Sequence, residues 1–232
     1  MKYIAESQKR LEENQNQFYT VSNTHVYLKD NFVSPENVKI DIRSVLAKVE
    51  KKIPAHLLSY IEYIFVGWFD EFDERKINSF YKDGTIYISN FQDNEIDMID
   101  DIIHEIAHSL EIPHGQEIYG DGKIEQEFIA KRKRLFYLLQ ADGYDIRLND
   151  FLNTEYDENF DQFLLQTVGY DKLSNYLAGL MINPYAATSI REYFASAFEE
   201  FYMEDQPAHL QKISPSLFKK INNLHMGFLL DR

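Results

Sequence analysis

Two histidines four residues apart, with a glutamate directly after the first, are the residues of this chain whose types and spacing could do chemistry. They are His104, Glu105 and His108, in "DIIHEIAHSL", residues 101–110. Metal-assisted hydrolysis needs neutral imidazoles or carboxylates on an ion that keeps one position open for water. It also needs a carboxylate beside that water as general base. On a helix, His104 and His108 project from one face, one turn apart. Glu105 is rotated by about 100° from His104, which sets its carboxylate beside the metal without making it a ligand. The chain has seven histidines in 232 residues, so a chance match is uncommon. It has no cysteine, so the donors must be histidine and carboxylate, a set that suits one Zn2+ per chain. The rival reading of the motif is a structural histidine pair.

A third ligand must come from elsewhere, and two residues compete. His114 gives "HEIAHSLEIPH" the metzincin spacing, with histidines at positions one, five and eleven, and Met181 downstream as a Met-turn. A metzincin has Gly at position eight, where the chain turns sharply. Here that residue is Glu111, for which a positive φ is disfavoured. The other candidate is Glu192, in "NPYAATSIREYFASAFEEFYM". Tyr193, Phe194, Ala197, Phe198 and Phe201 make an apolar side of that helix, and Glu192, Ala195, Ser196 and Glu199 lie along another. Small residues after Glu192 leave room for a second helix. Glu199 is about 10 Å further along the axis, so the two acids cannot share one ion. The bland reading of both is a solvated helix acid.

Together, "HEIAH" and "YAATSIREYFASAFEEF" resemble the zinc protease domain of anthrax lethal factor and the related secreted Pro-Pro endopeptidases. The pattern is Tyr185, then "AATSIR", then Glu192-Tyr193-Phe194-Ala195. The resemblance covers 101–111 and 183–202. It implies an α+β, zincin-like metalloprotease fold of gluzincin type, with His104, His108 and Glu192 on the metal and Glu105 as general base. It also implies that the Tyr185 phenol stabilises the oxyanion. A neutral phenol donor aimed at developing charge suits that role, against the alternative of a core tyrosine among sixteen. The six prolines are unclustered, so nothing indicates Pro-Pro specificity.

The elements that must position these residues follow from periodicity. Residues 3–17 are polar and helix-prone. Residues 24–29 read as a short strand and 42–53 as a helix with an apolar stripe. Residues 60–69 are β-branched and aromatic, as in a buried strand. Residues 77–89 read as strand, turn, strand about Asp83-Gly84. The second strand, "TIYIS", is expected to be the edge against which an extended substrate pairs. Helices are expected over 94–112, 122–140, 157–181 (split near Gly169), 188–204 with Thr188 or Ser189 as N-cap, and 214–227. The expected organisation is one peptidase unit, with a small mixed α/β lobe over 1–92 and a helical lobe over 93–232. The basic run "KRKR" at 131–134 reads as a helix face pairing with acids such as Glu127.

Composition bounds the function. The balance of 24 basic and 38 acidic residues gives a net charge of −14, which excludes a basic nucleic-acid footprint and a polybasic membrane patch. The partner expected is a peptide or protein substrate, with basic peptides favoured by steering. No signal-peptide core or spanning segment is visible. The expectation is therefore a soluble protein, cytoplasmic or delivered with a particle, or secreted if a leader has been removed. The expected activity is zinc-dependent endopeptidase cleavage by an activated water. The alternatives are a metzincin-like protease using His114, or a non-catalytic binding or structural module such as a toxin or particle component.

Overall fold

The computed structural model describes residues 16–35, 38–75, 77–204 and 207–227. The polar stretch 3–17 lies outside these except for its last two residues, and Gln17 opens a strand rather than a helix. The chain divides into two compact units, Met1–Leu110 and Glu111–Arg232. The architecture is α+β, with a mixed sheet in the first and helices throughout the second. No helix among the described residues is long and apolar enough to cross a membrane.

The first unit is built on five short strands: β1 (Gln17–Tyr19), β2 (His25–Leu28), β3 (Tyr63–Val66), β4 (Ser79–Lys82) and β5 (Thr85–Ile88). Their order is β1-β2-β3-β5-β4, with β2, β3 and β5 parallel and the two outer strands antiparallel to their neighbours. Alternation sorts the side chains onto two faces. Val26, Ile64, Val66, Ile86 and Ile88 are buried on one. On the other, Tyr27 stacks on Phe65, Phe65 on Tyr87, and Tyr87 on Phe80. The strand expected over 60–69 is only four residues long. It ends before Gly67, and Asp70–Arg75 turns into a short helix.

Two helices matter to the buried face: α1 (Ile42–Lys52) and α2 (Glu95–Leu110). Asn94 starts α2 by accepting from the N–H groups of Ile96 (2.7 Å) and Asp97 (3.1 Å), which satisfies two donors that have no intrahelical partner. Met98, Ile102, Ile103, Ile106 and Leu110 then recur at helical spacing and are buried. They seat α2 on β4, β5 and α1. Each fully buried isoleucine contributes roughly 1.5–3 kcal/mol, so the helix is fixed by its apolar stripe. The compact unit that holds α2 runs to Leu110.

One expectation is corrected here. "TIYIS" is not an edge strand. β5 lies between β3 and β4, and the edge beside it is β4. The reason is the hairpin. Asp83 and Gly84 both take positive φ (48° and 80°), which gives the tight two-residue turn and folds β4 onto the outer side of β5.

The second unit is carried by α3 (Lys123–Ala141) and α4 (Ile190–Met203), with shorter helices around them. The region 157–181 is broken at Gly169, whose φ of 83° ends a π-helical turn before the helix Tyr170–Leu177 begins. A short helix not expected from sequence, Ala208–Ile213, precedes the last one, Pro215–His225.

The run "KRKR" is in part the acid-paired helix face expected, since Glu127 acts electrostatically on Lys131, but half of it is buried. Lys133 and Arg134 are exposed, but Lys131 and Arg132 are buried. Lys131 Nζ donates to the carbonyls of Leu180 (2.6 Å) and Ile213 (2.6 Å) and to Ser214 Oγ (2.9 Å). Burial lowers its pKa to about 8. Arg132 donates to the carbonyls of Asp150 (2.6 Å) and Thr188 (3.3 Å), and lies 4.0 Å from the Phe160 ring centroid. Burial lowers its pKa to about 10.

Candidate functional site

In the first unit, α2 presents the motif as its spacing requires. His104 and His108 are half-buried, one turn apart, with ring centroids separated by 5.0 Å. Glu105 faces inward and is 4 % exposed. A carboxylate taken out of water needs hydrogen-bond partners. Ser79, the first residue of the edge strand β4, supplies one, with its Oγ donating to Glu105 Oε1 at 2.7 Å.

In the second unit, Glu192 sits in the first turn of α4. Ser189 caps that helix from an extended conformation, its Oγ accepting from the Glu192 N–H at 3.2 Å. The helix dipole favours an acid at this position. Arg191 is held by Glu111, with contacts of 2.6 and 2.7 Å, and Tyr119 donates to the same carboxylate at 2.8 Å. The bond to Glu111 raises the Arg191 pKa, and burial and Glu111 raise that of Tyr119. The first turn of α4 is therefore pinned by its cap and by Arg191. The middle of the helix is packed more tightly than its sequence suggested. Ala195 and Ser196 are buried along with the aromatic residues.

Tyr185 opens a single 3-10 turn, Tyr185–Ala187, and is half-buried. Its backbone is fixed from several directions. Asn183 Oδ1 accepts from the Ala186 N–H (2.8 Å) and from Ser196 Oγ (3.3 Å). Thr188 Oγ1 donates to the Tyr185 carbonyl (2.8 Å), and Arg132 donates to that of Thr188. Arg132 thus anchors the segment from which Tyr185 and Glu192 project.

His104, His108 and Glu192 are each half-buried and each offer one ligand atom. Each is a side chain that can ligate a metal ion, the two histidines in the first unit and the glutamate in the second. Two imidazole nitrogens and one carboxylate oxygen suit zinc and leave a fourth position for water. His114 is buried at the N-cap of the helix Gly115–Tyr119. Among the described non-glycine residues, positive φ occurs at Asn23 and Asp83. Glu111 therefore does not make the left-handed turn that the metzincin pattern assigns to glycine.

Residues 140–225 match the family model described as Glucose-regulated metallo-peptidase M90. The matched stretch covers well under half of the chain. It includes Tyr185 and Glu192 and begins after α2. No curated protein and no solved structure matches the chain. The match supports a metallopeptidase, and such a function implies a bound metal. It does not extend to the lethal factor type, which rests on the two quoted motifs.

Sequence reasoning missed Ser79, Lys131, Arg132 and the Glu111–Arg191 pair. A signal existed for two of them. Phe128, Lys131, Leu135 and Leu139 share one helical stripe, and Phe128, Arg132 and Phe136 share its neighbour. Both cations therefore occupy core positions of α3.

Proposed function

We propose that this chain is a zinc-dependent endopeptidase of gluzincin type, with His104, His108 and Glu192 as ligands. The observation that carries the reading is Glu105. It is a buried carboxylate on the same helix as two half-buried histidines at ligand spacing, with one oxygen held by Ser79. The family match over 140–225 supports the metallopeptidase part. The lethal factor-like pattern around Tyr185 and Glu192 supports the ligand set and the phenol.

His104, His108 and Glu192 would hold the zinc, which would supply an acidified water and a polarised carbonyl. Glu105 would take a proton from the attacking water through the oxygen not engaged by Ser79, and would return it to the leaving amine. The Tyr185 phenol donates to the oxyanion that develops on the carbonyl oxygen. The substrate is an extended peptide lying along β4. In that hairpin the 78/89, 80/87 and 82/85 pairs belong to one hydrogen-bonding class, as the Ser89 N–H to Asn78 carbonyl bond of 2.7 Å shows. The main-chain groups of Ser79 and Tyr81 therefore point to the open side of the edge strand, where another strand can add. The net charge of −14 favours basic peptides by steering.

The experiment is Glu105→Gln. It keeps the metal and lowers cleavage of a peptide library by about 10²–10⁴-fold. A variant that cleaves at the wild-type rate contradicts the mechanism.

A further inference from the structure

We infer that Ser79 is a positioning residue that sets the general base and the substrate strand in one register. The inference rests on the peptidase reading and names a residue that reading does not require. Ser79 is the first residue of the edge strand, and its two ends face different ways. Its side chain shares the face of Ile86 and Ile88, toward α2, and there its Oγ donates to Glu105 Oε1 at 2.7 Å. Its main-chain N–H and C=O point to the open edge of β4. A peptide paired on that edge is thus one residue's breadth from the group that anchors the base.

The chemistry gives this contact a purpose. A glutamate side chain has three rotatable bonds, and Glu105 must hold one oxygen steady while the other takes and returns a proton. Its backbone is fixed by α2, and its carboxylate by Ser79. A bond from the substrate-binding strand fixes the carboxylate relative to the peptide as well as to the helix. Small displacements of a catalytic group are costly, with a 1 Å misplacement worth about 10²-fold. Sites held by a second layer of hydrogen bonds avoid that loss.

The test uses Ser79→Ala and Ser79→Thr in the full chain, beside the wild type and Glu105→Ala. Ser79→Ala is expected to keep the wild-type metal content, lower kcat by about 10- to 100-fold and leave KM within about twofold. Ser79→Thr, which keeps the hydroxyl, is expected to restore kcat to within about threefold of wild type. A Ser79→Ala enzyme with wild-type kcat, a loss confined to KM, or a threonine variant as slow as alanine overturns the proposal.

A second readout needs no activity. In the metal-free protein, Ser79→Ala lowers Tm by about 2–4 °C, the shift expected for one net hydrogen bond in a chain of this size. It leaves Tm unchanged in the Glu105→Ala background. Equal shifts in the two backgrounds mean that Ser79 does not hold Glu105, and overturn the proposal even if the enzyme is a peptidase. A coupled shift in a chain that cleaves no peptide would instead remove the peptidase reading and, with it, the role proposed for the contact.

Discussion

Replacing Arg132 by lysine keeps the charge and most of the volume and removes only the fork. In the wild type the guanidinium reaches two carbonyls, those of Asp150 at 2.6 Å and Thr188 at 3.3 Å, and lies 4.0 Å from the Phe160 ring centroid. An ammonium is a single point and cannot span both acceptors. One charge-assisted bond is lost, at about 1.5–3 kcal/mol. The contact with Phe160 weakens by about 1 kcal/mol. The expected loss is about 3 kcal/mol, which lowers the unfolding midpoint of the helical unit by about 6–12 °C. Differential scanning calorimetry reads this directly. Arg134→Lys, two residues on and exposed, is the control, with an expected change within about 0.5 kcal/mol. A loss below about 1 kcal/mol for Arg132→Lys, or equal losses in the two variants, would refute the claim that the fork is what holds the Thr188 segment. Metal affinity should fall alongside stability, because the same carbonyl anchors the turn leading to Glu192.

Other expectations follow from the same contacts. Tyr185→Phe removes the phenol donor and should lower kcat by about 10²-fold with metal content and KM unchanged, as steady-state kinetics will show; an unchanged kcat would return Tyr185 to the core. Lys131 gives a pH dependence of known sign. Its pKa is lowered to about 8 from an ordinary 10.5, so between these values the unfolded chain binds the extra proton. The burial penalty of the ammonium is present below pH 8 and is relieved as pH rises toward 10.5. The stability of wild type relative to Lys131→Met should therefore rise across that window in urea titrations, and a flat or falling difference would contradict the assignment.

The parts legible in the sequence were those set by local pattern. The apolar period of α2, the Asp83-Gly84 turn and the Ser189 cap each depend on residues within a turn of one another, and each formed as expected. The strand order was not legible. That β5 pairs with β3, and so leaves the edge to β4, depends on contacts between residues more than twenty apart. The same limit applies at the candidate site. His104 and His108 declare themselves by spacing, whereas Ser79 reaches Glu105 across 26 residues and carries no motif. Lys131 and Arg132 misled because charge was weighed before position. Their place on the apolar stripe of α3 was the better guide, since burial there is tolerated only with carbonyls and hydroxyls arranged around each head group.

The central claim is the ligand set, and metal stoichiometry tests it most directly. Zinc per chain should be measured by mass spectrometry on purified wild type, Glu192→Ala and His114→Ala after reconstitution. The account predicts about one zinc in the wild type and in His114→Ala, and loss of zinc in Glu192→Ala. Loss in His114→Ala with retention in Glu192→Ala would contradict it and restore the metzincin arrangement, and a wild type without zinc would reduce His104 and His108 to a structural pair.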